Sequence, residues 1–287
     1  MKRISVQDIM TRKVISTDQN STMDKVTKLM SEKKIGSVVI LDGANPTGII
    51  TVRHILKLAE ACQAPVSLSA KDIMTHPIIT ISPDANLRAA SILMLQRGIK
   101  KLAVVENNKL VGLVTTTDIE HVFIPFDSPF EMLHYGSAAG LSDRQEFQID
   151  MEHKLVEEIM TKEVKTVHNL MKVNEIAKIM NHTKIGSLIV TKNEKPIGIV
   201  TDLQIVRDIM NLGLDPCIVT AEEAMDVLIT IGAKATLKSS VEEMVKNKVR
   251  KLGVIDSNQS LVGIITTTDF LVYYRSLLFR QKTIRKI

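Results

Sequence analysis

The chain has 287 residues, 45% apolar and 24% charged, enough to build more than one hydrophobic core, and this composition excludes a disordered chain. Its formal charge of +5 is confined to residues 275–287, where Arg275, Arg280, Lys282, Arg285 and Lys286 occur without an acid, so the body is electrically balanced. No apolar run approaches the roughly 18–20 residues of a membrane span, and no apolar signal stretch follows Met1. Two cysteines, Cys62 and Cys217, cannot make a disulfide framework, so a cytoplasmic, reducing compartment is expected.

In chain order, Asp8-Ile9-Met10-Thr11 leads into a predicted short strand, Val14-Ile15-Ser16. Met23, Val26, Leu29 and Met30 then recur at helical spacing. Ser37 to Leu41 is an apolar strand, Asp42-Gly43-Ala44-Asn45-Pro46 is turn chemistry, and Thr47 to Thr51 is a second strand feeding a helix from Val52 to Glu60. The same strand, helix, strand, strand, helix order returns three more times. Asp72-Ile73-Met74-Thr75 and Glu158-Ile159-Met160-Thr161 open later copies, with a weaker echo at Glu223-Ala224-Met225. Gly48, Gly112, Gly198 and Gly263, which open the closing motif of each copy, are 64, 86 and 65 residues apart. Copies one and two therefore form one close pair, and copies three and four another.

The closing motif differs between copies. It reads Gly112-Leu113-Val114-Thr115-Thr116-Thr117-Asp118 and Gly263-Ile264-Ile265-Thr266-Thr267-Thr268-Asp269 in the even copies, but His54 and Gln204 stand where the Asp is expected in the odd ones. At a second aligned place the odd copies carry Gly36-Ser37 and Gly186-Ser187, and the even copies Lys100-Lys101 and Arg250-Lys251. A threonine-rich strand-to-helix junction directs backbone N–H groups and a helix dipole at one point, which suits phosphate. A carboxylate suits paired sugar hydroxyls. The competing reading is that Asp simply caps the following helix. The pairing of Asp with a cation in the same two copies favours a sugar-phosphate ligand.

These motifs resemble cystathionine β-synthase (CBS) domains, a family that works in side-by-side pairs. The resemblance implies an α+β fold of four CBS repeats arranged as two CBS-pair modules in a disc-like assembly. The modules are expected at residues 1–122 (repeats about 1–61 and 66–122) and 151–275 (repeats about 151–212 and 217–275), with a connector at 123–150 and a basic tail at 276–287. It further implies a sensor of an adenosine ligand, AMP, ADP, ATP or S-adenosylmethionine, without a metal cofactor. The implied ligand contacts are Lys100, Lys101, Thr115, Thr117 and Asp118 in copy two, and Arg250, Lys251, Thr266, Thr268 and Asp269 in copy four. Strand residues Thr80, Ile81, Thr230 and Ile231 are expected beside the base, although they read equally well as core.

No catalytic constellation is evident: the seven histidines form no HExxH motif, and Gly232-Ala233-Lys234-Ala235-Thr236 is not a Walker loop. Gly136-Ser137-Ala138-Ala139-Gly140 reads as a turn rather than a nucleophile elbow. The chain is therefore expected not to be an enzyme. All nine aromatic residues fall in two segments, Phe123 to Phe147 and Phe270 to Phe279. Those segments either pack the pairs, against each other or in a homodimer, or dock a regulated partner protein. The alternative function is a nucleic-acid-associated protein that binds DNA or RNA through its basic tail.

Overall fold

A computed structural model describes residues 4–65, 68–123, 151–270 and 272–273. The connector, its aromatic residues Phe126, Phe130, Tyr135 and Phe147, the 136–140 turn and the basic tail lie outside the described residues.

Each repeat builds a small sheet with one long helix. Repeat one contains β1 (Ser16–Asp18), α1 (Met23–Lys33), β2 (Ser37–Asp42), β3 (Asn45–Thr51) and α2 (Val52–Glu60). The opening strand begins at Ser16 rather than Val14, because it pairs parallel to β2 in the register Ser16–Val39 to Asp18–Leu41. Repeat two follows with α3 (Ala70–Ile73), β4 (Thr80–Ile81), α4 (Leu87–Arg97), β5 (Lys101–Glu106), β6 (Lys109–Thr115) and α5 (Thr116–Phe123). Repeat three has β7 (Thr166–His168), α6 (Val173–Thr183), β8 (Ser187–Lys192), β9 (Lys195–Thr201) and α7 (Asp202–Gln204), which continues as a π-helical stretch, Ile205–Met210. Repeat four has α8 (Ala221–Ala224), β10 (Asp226–Val227), β11 (Thr230–Gly232), α9 (Leu237–Asn247), β12 (Lys251–Ile255) and β13 (Leu261–Thr266). β10 joins the sheet of repeat three, in the order β10-β9-β8-β7; the other sheets have three strands each.

The four long helices, α1, α4, α6 and α9, are each 11 residues long. Each ends on a left-handed residue: Lys34, Gly98, Lys184 or Lys248. In α1, α4 and α9 the N–H of that residue bonds the last carbonyls of the helix, and in all four the conformation turns the chain toward the next strand. The central strand is buried on both faces, as Val38, Val39 and Ile40 show in repeat one and Leu102, Ala103 and Val104 in repeat two, which accounts for the continuous apolar runs in the sequence. The same hairpin irregularity recurs at Ile40/Leu41, Val104/Val105 and Val254/Ile255.

Tertiary packing accounts for the two sequence markers, which meet across repeats. A Cβ added to Gly48 would lie 2.2 Å from Met74 Sδ, one added to Gly112 2.3 Å from Met10 Sδ, and one added to Gly263 2.3 Å from Met160 Sδ. The backbones pair beside each contact, Thr11 with Leu113, Thr75 with Ile49 and Thr161 with Ile264. The opening methionine of one repeat is thus seated on the closing glycine of its pair partner, and only glycine leaves room for it.

Two compact units emerge. One comprises the described residues within Met1–Ile119, Val167–Val190 and Ile199–Asp226; the other comprises those within Glu120–Thr166, Thr191–Gly198 and Val227–Ile287. In the first, α2 packs on α6, and α1 packs on the π-helical stretch. The core of the second gathers Val156, Leu237, Val241, Met244, Leu252, Val254, Ile265 and Phe270. Phe270 is fully buried and Tyr273 packs, partly buried, on the same core beneath Lys154.

The cysteine expectation requires correction. Cys62 and Cys217 form a disulfide within the first unit, with Cα atoms 5.7 Å apart at a sequence separation of 155. Their separation in sequence gave no sign that α2 of repeat one and the loop of repeat three would be neighbours. Among the described residues no helix is long and apolar enough to cross a membrane.

Candidate functional site

The strand-to-helix junction has the same construction in all four repeats. The first residue of the second helix donates its N–H to the carbonyl just before the second strand: Val52 to Gly36, Thr116 to Lys100, Asp202 to Gly186 and Thr267 to Arg250. The odd-copy glycines and even-copy cations thus occupy equivalent places. The next residue of each cation pair is a cross-strand partner of the closing threonine, Lys101 with Thr115 and Lys251 with Thr266. Cross-strand partners sit about 5 Å apart, so the register alone brings the cation to the threonine-rich turn.

At the turn, the Asp is a cap. Asp118 Oδ2 accepts from Thr115 N and Thr115 Oγ1, both at 2.7 Å, while the Asp118 N–H donates to Thr115 Oγ1 at 3.2 Å. Asp269 Oδ2 accepts from Thr266 N and Oγ1, both at 2.7 Å, and its Oδ1 accepts from Thr161 Oγ1 at 3.2 Å. The odd repeats do the same job with other groups. His54 Nδ1 accepts from Thr51 N at 2.9 Å, and its Nε2 lies 3.0 Å from Thr75 Oγ1. Gln204 Oε1 accepts from Thr201 N at 3.3 Å, and its Nε2 donates to Ala224 O at 2.6 Å. Asp, His and Gln are therefore interchangeable as caps. Burial, reinforced by the Lys57 cation, lowers the His54 pKa, which keeps Nδ1 free of a proton and able to accept.

In repeat two the junction gathers further polar groups. The Lys101 ammonium donates to Ser37 Oγ of repeat one at 2.9 Å. Burial lowers the Lys101 pKa, and the carboxylates of Asp202 and then Asp118 oppose that shift. Asp202 Oδ2 lies 3.0 Å from where a Cβ on Gly186 would be, and a Cβ on Gly36 would lie 3.5 Å from Lys101 Nζ. A Cβ at Gly186 would therefore crowd Asp202, whereas one at Gly36 would make only ordinary contact with Lys101.

Lys101, Thr115 and Asp118 are thus brought together, as are Thr266 and Asp269. Lys251 is half-buried at the start of β12. Lys100, Arg250, Thr117 and Thr268 are exposed on the rim of these turns. Thr80 is exposed and Ile81 half-buried on β4, which pairs with β5 at Ala103 and Val104. Thr230 is half-buried beside Gly253, whereas Ile231 belongs to the core of the second unit, so its side chain packs inward rather than toward a ligand.

Sequence reasoning missed Asp202 and Arg53. Copy three has lost the capping carboxylate but carries another two positions earlier, a signal that alignment of the four turns contains. Arg53 donates from Nη1 to Met180 O and from Nη2 to Ile185 O at 3.5 Å, capping the C-terminal end of α6. Nothing local marks that role, because the partner carbonyls lie in another repeat. A cluster of Cys62, Asp215 and Cys217 also has its ligand atoms within 4.8 Å of one another.

Four in-phase repeats, each with a central buried strand, an 11-residue helix and a capped turn, define a CBS-domain protein. The CBS domain family model matches residues 6–61, 70–124, 156–211 and 221–276, and the chain belongs to that family. An uncharacterized protein of Methanopyrus kandleri is 38% identical over 125 residues, covering 42% of this chain and 64% of its own length. A Methanocaldococcus jannaschii protein is 26% identical over 204 residues, covering 70% of this chain and 69% of its own length. Its crystal structure, described as that of a proposed archaeal homolog of g-AMPK, matches with a TM-score of 0.66 at 20% identity, covering 94% of this chain and all of that one. A 33.4 kDa protein from the ribosomal RNA operon of Thermofilum pendens is 28% identical over 191 residues, covering 66% of this chain and 58% of its own length.

Proposed function

We propose that this chain is a regulatory protein that senses an adenosine-containing ligand, AMP, ADP, ATP or S-adenosylmethionine, at repeats two and four, and passes its occupancy to a partner protein or to a second copy of itself. It works by binding rather than by catalysis. The paired modules are residues 1–122 and 151–275. In repeat two, Lys101 and Lys100 take the phosphate or carboxylate of the ligand, Asp118 takes the ribose hydroxyls, and Thr115, Thr117 and the start of α5 complete the anion contacts, with Thr80 and Ile81 beside the base. Arg250, Lys251, Thr266, Thr268, Asp269 and Thr230 do the same in repeat four.

One observation carries this reading. Capping alone does not require a carboxylate, since His54 and Gln204 accept from the equivalent threonine N–H, yet the two repeats with a cation pair both retain Asp. Both cap bonds to Asp118 fall on Oδ2, so capping uses half of that carboxylate. Ligand binding then couples to regulation only through a difference in affinity between two arrangements of the protein.

A thermal-shift panel of adenosine and guanosine ligands tests it, comparing wild type with Asp118→Asn/Asp269→Asn. Asn keeps the cap acceptor and removes the charge, so the variant retains its fold. The expected result is stabilisation of wild type by adenosine ligands, about 2.7 kcal/mol at a hundredfold excess over Kd, and at least a tenfold weaker response in the variant. Equal stabilisation of both proteins refutes the assignment.

A further inference from the structure

The disulfide lies at one end of a helix whose other end joins the same two repeats. At its start, α2 sends Arg53 to the Met180 and Ile185 carbonyls of repeat three; near its end Glu60 Oε2 accepts from Asn181 Nδ2 at 2.9 Å. One residue beyond the cap, Cys62 adopts a left-handed conformation and is bonded to Cys217. All three links run from repeat one to repeat three, and only the last is covalent.

We propose that Cys62 and Cys217 are a reversible oxidation site, a latch that a dithiol opens to loosen the contact between repeat one and repeat three. Both turns are held by their own bonds and do not need the latch. Cys62 N donates to Ala59 O at 3.1 Å and Gln63 N to Leu58 O at 2.9 Å; Cys217 N donates to Asp215 Oδ1 at 2.8 Å, and Ile218 N and Val219 N both donate to Asp215 O. Opening the bond therefore frees a connection and leaves each repeat folded. Neither cysteine is buried, so a small reductant reaches the sulfurs. The chain has no third cysteine, so the bond has no intramolecular partner with which to reshuffle. In the opening step a dithiol thiolate attacks one sulfur, forming a mixed disulfide and expelling the other as thiolate. The second thiol of the dithiol then displaces the remaining cysteine, so two electrons and two protons pass to Cys62 and Cys217. Asp215 adds a negative charge beside the thiols, which disfavours the thiolate and slows reclosure.

This inference does not depend on the ligand reading. Full-length protein, oxidised with glutathione disulfide, is treated with dithiothreitol without denaturant, and free thiols, Tm and amide exchange are followed; Cys62→Ser/Cys217→Ser serves as the permanently open form. The expected result is two thiols gained, a Tm lower by at least about 5 °C, and faster exchange in α2 and residues 211–220, all reversed on reoxidation. Wild type alkylated after reduction supplies the open form if the double variant does not fold. Asp215→Asn is expected to reclose several-fold faster at pH 7. Thiols that never pair under glutathione disulfide, a bond that yields only in denaturant, or an unchanged Tm overturns the proposal. So does stoichiometric capture of Zn2+ by the reduced pair that protects both thiols from oxidation, which makes the cluster a metal site instead.

Discussion

Replacing Gly112 with alanine tests the packing that joins the two repeats of the first pair. The new Cβ would lie 2.3 Å from Met10 Sδ, 2.8 Å from its Cγ and 3.2 Å from its Cβ, well inside the roughly 3.5–4.0 Å of a relaxed contact. The methionine cannot simply swing away, because its own Cβ is part of the clash. Its backbone is held as well: Met10 N donates to Val6 O at 2.9 Å, Thr11 N to Leu113 O at 2.9 Å, and Leu113 N to Thr11 O at 3.0 Å. Overpacking of this kind costs about 1–3 kcal/mol, so Tm should fall by about 2–12 °C. Met10→Ala alone leaves a cavity that costs about 2–5 kcal/mol. The combined variant should lose less than the sum by about 1–3 kcal/mol, because the alanine then fills space the methionine has vacated. Gly98→Asn is the control: Gly98 has φ +63° and nothing within 4 Å of an added Cβ, so conformational strain alone should hold its cost below about 1 kcal/mol. Chemical denaturation of the four variants measures these terms. Strict additivity of Gly112→Ala and Met10→Ala, or a neutral Gly112→Ala, refutes the packing argument.

Arg53→Ala should destabilise the protein by about 1.5–3 kcal/mol, since it leaves the last carbonyls of α6 without their charged donor; a loss below about 0.5 kcal/mol in urea titration contradicts that role. The His54 pKa is lowered by folding, so the unfolded chain binds the extra proton more readily, and the cap's contribution, complete above the unfolded value of about 6.5, is lost as pH falls toward the folded one. His54→Gln, which copies the Gln204 cap, should flatten that part of the stability profile between pH 7 and pH 5, and an unchanged slope would assign it to another group.

Much of the fold is legible along the chain because its causes are local. Apolar spacing predicts the first helix of every copy and β-branched runs predict the central strands. The α2 boundaries, Val52 to Glu60, follow from a cap-forming threonine ahead of a helical stripe. β1 is displaced by two residues from the predicted strand, since strand limits are set by the partner's register. The site is legible in part. Alternation of Asp with His and Gln marks these turns in the sequence, but only coordinates show that all three side chains accept from the threonine N–H, and that in Asp118 both cap bonds fall on one carboxylate oxygen.

Repetition, element order, helix length and turn chemistry were determined by the sequence alone, since each depends on residues within a few positions of one another and recurs four times in phase. Contacts between residues tens to hundreds of positions apart were decided only by tertiary structure. Met10 seated on Gly112, Lys101 hydrogen-bonded to Ser37, and Cys62 bonded to Cys217 each join residues of different repeats. A short apolar sheet must bury its open face against another copy, and nothing local specifies which side chains that burial brings together.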